Sequence, residues 1–150
     1  MQICIRTRVS QEAKAVFHQF DAQLFMRLAP PLPRVKLLRF DGCKKEDWVE
    51  IELNFIFFKQ RWRSLITSQA EDDAMIFFVD EGVQLPFFLR YWHHEHQIVK
   101  QSPTESIIVD KINFRTPFLL FDYLLYPSLY LQFLYRIPIY KRTFSSKAKA

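Results

Sequence analysis

From Gln2 to Val9 the side chains alternate. Ile3, Ile5, Thr7 and Val9 fall on one side and Gln2, Cys4, Arg6 and Arg8 on the other, the period of a strand with one apolar face. After Ser10, an N-cap candidate, the spacing changes: Ala13, Val16, Phe17 and Phe20 recur at helical intervals. Asp21 is placed to cap a second short helix in "DAQLFMRLAP", which Pro30 and Pro31 end. From Arg34 to Arg115 the period returns to two. "RVKLLRF", "WVEIELNFIFF", "RWRSLITSQA", "AMIFFVD", "FFLRYWHHEHQIVK" and "TESIIVDKINFR" read as strands, separated by "DGCKKED", "EDD", "EGVQLP" and "QSP". In the second, Val49, Ile51, Leu53, Phe55 and Phe57 alternate with Glu50, Glu52 and Asn54, which predicts a half-buried strand throughout. Six strands joined by short turns predict an antiparallel meander.

The segment from Pro117 to Phe144 is apolar on nearly every side. Its longest uncharged run, Tyr123 to Tyr135, has 13 residues and contains Pro127 and Gln132, against the roughly 18 or more that a membrane span needs. The length predicts a long C-terminal helix packed on the sheet, broken or kinked at Pro127 and Pro138. Weak contact with a membrane surface through this aromatic and basic segment is the other expectation for it.

Composition adds one unusual feature: 16 Phe, 6 Tyr and 3 Trp stand against only two glycines in 150 residues. One domain is expected over 1–144, with 145–150 a disordered basic tail. The net charge of +5 is local, because the five basic residues from Arg136 onward, with no acid among them, equal the whole excess. The remaining 16 basic residues balance 16 acidic ones. A nucleic-acid face across the domain is therefore not expected, and no recognition-helix, zinc-finger or RNA-recognition signature occurs. Cys4 and Cys43 lack metal-ligand spacing; Cys4 reads as a small buried hydrophobe. "MQICIRTRVS" carries charges where a signal peptide has its apolar run, so a reduced, cytoplasmic location is expected.

Candidate chemistry concentrates in "RYWHHEHQIV". On a strand, Arg90, Trp92, His94, His96 and Ile98 share one face and Tyr91, His93, Glu95, Gln97 and Val99 the other. If the turn at "KQSP" centres near residue 102, Asp110 lies opposite His94 and Ile108 opposite His96, and the carboxylate would orient an imidazole. Three readings fit: His94, His96 and Asp110 as metal ligands, a histidine with its Asp as a general base, or hydrogen-bonded residues of a pocket wall. No nucleophile elbow, phosphate-cradling glycine loop or dinucleotide fingerprint accompanies them. The third reading is the one adopted, with no metal and no cofactor expected.

The order strand, two short helices, six strands and long helix, with its internal motifs, resembles the bacterial ligand-binding branch of the SRPBCC (START-like, pollen-allergen-like) superfamily. The motifs are Trp62 with Ile four residues on, Phe-x-Asp-Glu ending in Asp80 and Glu81, Pro86-Phe87, Trp92-x-His94-x-His96, Thr104 with Asp110 six residues on, and Tyr135-Arg136. The resemblance implies an α+β helix-grip fold: a seven-stranded curved antiparallel sheet around a long C-terminal helix, with two short helices between strands 1 and 2. It also implies an internal cavity for an apolar small molecule such as a lipid, fatty acid, quinone or polyketide. The alternative is a cyclase or dehydratase with His94 or His96 as acid/base and Asp110 orienting it. The glycine-poor "DGCKKED" loop and the two helix prolines depart from the family pattern. From the residues alone, Phe55, Phe57, Trp62, Phe77, Arg90, Trp92, His94, His96 and Asp110 are the expected cavity residues.

Overall fold

The computed structural model describes residues 1–145. Strand β1 (Gln2–Val9) leads through α1 (Ala13–His18) and α2 (Ala22–Leu28) to β2 (Arg34–Phe40), β3 (Trp48–Asn54), β4 (Lys59–Glu71), β5 (Met75–Gln84), β6 (Tyr91–Ser102) and β7 (Glu105–Arg115); helix α3 (Leu119–Thr143) follows. The seven strands form one sheet in the order β1-β7-β6-β5-β4-β3-β2. Every neighbouring pair is antiparallel. The meander from β2 to β7 is as expected, and α1 and α2 carry the chain from one sheet edge to the other. This is the helix-grip architecture. The expected tail falls, except for Ser145, outside the described residues.

Local chemistry accounts for the elements. Strand β1 buries Ile3, Ile5, Thr7 and Val9 in strict alternation. Cys4 lies on its exposed face, which overturns the expectation of a buried thiol: its period-two partners are arginines. Asp21 caps α2, its Oδ1 accepting from Leu24 N at 2.8 Å. At α1 the N-cap is Glu12 rather than Ser10 and makes no side-chain cap. Bulges between β4 and β5 and between β2 and β3 bend the sheet. Gly82 lets the β5–β6 connection fold inward, because a Cβ there would overlap the Leu85 side chain and crowd Trp92 Cβ at 3.1 Å.

Helix α3 runs unbroken through Pro127 and Pro138, so of the expected break or kink at each proline the break does not occur. Both prolines are on the exposed side, where solvent can take the carbonyls they leave without a donor. The helix buries Leu129, Phe133 and Tyr140 against the sheet. Among the described residues no helix is long and apolar enough to cross a membrane.

The interior is divided. One apolar cluster joins Val9, Val16, Ile76, Ile98, Ile108 and Tyr140; a second joins Ile3, Ile5, Trp92, Ile112, Phe114 and Phe133. Between Trp92 and Ile98 on β6 come His94 and His96. Between Ile108 and Ile112 on β7 comes Asp110, and between Phe133 and Tyr140 on α3 comes Arg136. A belt of polar side chains thus separates two packed apolar cores.

Candidate functional site

The belt forms because three elements place a polar residue at the same level. His96 is the direct cross-strand partner of Asp110, and His94 pairs with Ile112. The expected register is therefore off by two residues, which leaves every side chain on its face, since the strand period is two. His94 reaches Asp110 diagonally, Nε2 to Oδ1 at 2.9 Å, and His96 Nδ1 lies 3.3 Å from the same oxygen. The guanidinium of Arg136, seated over the Phe133 ring at 4.2 Å, approaches it to 4.0 Å. Asp110 is 1% exposed.

Burial opposes ionisation of Asp110, but His94 by its hydrogen bond and His96 by proximity hold its carboxyl below the usual carboxylate range. An ionised carboxylate only accepts, so Nε2 of His94 carries the proton. Burial, reinforced by His96 and opposed by Asp110, brings the His94 pKa down to about 3, so the ring is neutral. The ligand atoms of His94, His96 and Asp110 lie within 4.8 Å of one another, close enough to converge on a cation. Arg136 already provides the positive charge facing Asp110, and an added dication would meet its repulsion.

In front of this cluster lies a cavity of about 390 Å³ between sheet, α2 and α3. Val35, Val49, Ile51, Leu53, Phe78, Leu129 and Phe133 contribute apolar walls, with Trp62 packed edge to face on Trp92 at 4.8 Å. Leu32 lines the cavity and is 61% exposed, so the space opens to solvent beside it. Polar groups gather at one side: Ser64, Asp80, His94, His96, Gln132 and Arg136. His96 is stacked on Phe78 at 4.3 Å, and its Nδ1 makes no hydrogen bond. Oδ1 of Asp80 is likewise buried without a partner; burial raises the carboxyl above its ordinary range, against the lowering influence of His96 and Arg136. Cys43 also lines the cavity, but burial and nearby carboxylates push its thiol up to about 12, which removes it as a nucleophile.

Of the residues expected around a cavity, Phe55, Trp62, Trp92, His94 and His96 line it. Asp110 stands behind the histidines. Three are elsewhere. Phe57 is 93% exposed, because β3 ends at Asn54 and "FIFF" forms the turn, with Phe55 N donating to Phe58 O at 2.9 Å. Phe77 points to the outer face; its neighbour Phe78 is the one turned inward, in register with His96. Arg90 precedes β6 and is exposed, so the alternation that would have turned it inward does not reach it. Asp80 enters the sequence reading only as a motif residue, Arg136 as a motif residue and a C-terminal charge, and Phe78, Phe133 and Ser64 are not among the expected cavity residues. Counting inward positions from His96 across to Phe78 and Asp80 would have found two of these.

No protein-family model matches the chain, and no curated protein matches it in sequence. Solved structures do. The chain is similar to the Zhui aromatase/cyclase from Streptomyces sp. R1128, with a TM-score of 0.69 at 12% identity over 92% of this chain and 89% of that one. It is similar to norcoclaurine synthase from Thalictrum flavum, at 0.60 and 10% over 85% and 82%. A START superfamily protein from Mycobacterium smegmatis matches at 0.59 and 11% over 91% and 97%. At these identities the likeness is one of fold alone, the helix-grip fold.

Proposed function

We propose that the protein binds an apolar small molecule in the internal cavity, its hydrocarbon or ring system against Ile51, Leu53, Trp62 and Leu129 and a polar end at Asp80, His96 and Arg136. The observation that carries this reading is the pairing of an apolar cavity with a buried polar atom of its lining, Asp80 Oδ1, that has no hydrogen-bond partner among the described residues. Buried polar groups ordinarily find partners, and a ligand oxygen or nitrogen beside them is one. The wall chemistry suits a lipid, fatty acid, quinone or polyketide-like molecule.

A second reading, a cyclase or dehydratase type of enzyme, draws on the same cavity. An imidazole, His96, and a carboxyl whose pKa burial raises, Asp80, both line the apolar cavity, the residue types that acid/base chemistry uses. His94, tied to Asp110, would then be a positioning residue and His96 the acid/base.

The binding reading is tested with N-phenyl-1-naphthylamine, an uncharged fluorophore, titrated into the protein. Saturation at one equivalent, with at least tenfold weaker binding in an Ile51→Trp variant that still unfolds cooperatively, is the expected result. Equal affinity in that variant would remove the cavity as the binding place.

A further inference from the structure

We infer that the end of the sheet bearing the β3–β4 turn is a docking surface for an anionic lipid bilayer. This goes beyond cavity binding and does not depend on it. The strand register brings the pieces together: Arg34 pairs with Asn54, Asn54 with Lys59, Arg63 with Gln84 and Tyr91 with Arg115. The β3–β4 turn, the β5–β6 connection and the β7–α3 junction therefore lie at one end. Ring contacts join the first two, Phe58 to Phe87 at 5.8 Å and Phe55 to Phe88 at 5.9 Å.

At this end the apolar residues face solvent. Ile56, Phe57, Phe87, Phe118, Leu119 and Leu120 are each at least two-thirds exposed. Scattered exposed apolar residues are ordinary, but a group of large ones at the tips of three successive connections marks an interaction surface. The charge around them selects the partner. Arg34, Arg90 and Arg115 are exposed at the strand ends, and Lys59 beside them is paired with Glu52. The nearby acids are already engaged: Glu52 by Lys59 at 3.1 Å, Glu81 by His93 Nδ1 at 3.0 Å, and buried Asp122 by Thr116 N at 2.6 Å. Among the described residues the opposite end carries exposed Glu12, Glu46, Asp72 and Asp73 beside its lysines and no comparable group of aromatics. Aromatic and aliphatic tips ringed by arginine and lysine suit the interface of a bilayer with negative headgroups. Lys141 and Arg142 are at the far end of α3, where Phe144 O accepts from Ser10 N, so the basic C-terminal turn is not part of this surface.

The test is sedimentation with vesicles of phosphatidylcholine alone and with one-third phosphatidylserine, at low and high salt. Binding to the anionic vesicles that falls with salt is expected, because each basic residue near such a surface contributes roughly fivefold. Phe57→Ser/Phe87→Ser and Arg90→Glu/Arg115→Glu are each expected to weaken it at least tenfold with unchanged thermal unfolding, and Lys141→Glu/Arg142→Glu to leave it unchanged. Absence of binding at low salt, equal loss in the Lys141/Arg142 variant, or light scattering showing a dimer that Phe57→Ser/Phe87→Ser dissolves would each overturn the inference.

Discussion

His94 and Asp110 are joined across a diagonal rather than a rung of the sheet: the imidazole Nε2 lies 2.9 Å from Oδ1, while the backbone partner of Asp110 is His96. One carboxylate oxygen thereby meets two imidazoles and a guanidinium, and the arrangement sets both the charge and the orientation of the groups in front of it. Its removal has a definite consequence. Asp110→Asn leaves the Arg136 charge without its counter-charge in the interior and is expected to cost about 3 kcal/mol, the usual loss on breaking a buried pair. Urea unfolding measures it; a cost below about 1 kcal/mol would show that the carboxylate is not what balances Arg136.

The neutral state of His94 makes stability acid-sensitive. Its pKa falls from about 6.5 in the unfolded chain to about 3 in the fold. Between these values the unfolded chain binds a proton that the native one does not, so the His94 contribution is complete above pH 6.5 and is lost as the pH falls. The slope is about 1.4 kcal/mol per pH unit. Asp110, with its lowered pKa, adds a further loss only below the ordinary carboxylate range. Asp80, with a raised pKa, acts in the opposite sense, favouring the fold toward lower pH. Urea unfolding of the wild type and His94→Gln from pH 7.5 to 5 is expected to show a wild-type dependence steeper by about one proton below pH 6.5.

The contrast between Phe57 and Phe78 separates wall from surface. Phe78→Ala removes a buried ring that supports His96 and is expected to cost about 3 kcal/mol and to weaken fluorophore binding. Phe57→Ser changes an exposed turn residue, and both stability, within about 0.5 kcal/mol, and fluorophore affinity are expected to stay as they are. Fluorescence titration and thermal unfolding of the two variants decide the matter.

The fold was legible in the sequence because its signals are periodic. Ile3 to Val9, Val49 to Leu53 and Trp92 to Ile98 keep their faces whatever the register, and the turns are short enough to force a meander. The site was legible in part. His94, His96 and Asp110 lie on faces that a two-residue slip cannot change, so they meet even though the pairing differs. Phe57 and Arg90 failed because alternation was carried past the strand ends, and nothing in "FIFF" marks a turn by composition. Phe77 failed because two adjacent phenylalanines carry no parity of their own. Arg136 was counted with the basic C-terminal residues, and only packing on Phe133 turns it inward.

If the space between sheet and α3 admits an apolar molecule, the bound molecule lies close to the side chains that line it. Intermolecular nuclear Overhauser effects between N-phenyl-1-naphthylamine and protein labelled at its Ile and Leu methyl groups test it most directly. Contacts to Ile51, Leu53 and Leu129 are the expected result. Contacts confined to the exposed Leu120, Leu124 and Leu131 of α3, or none at saturating fluorophore, would contradict it.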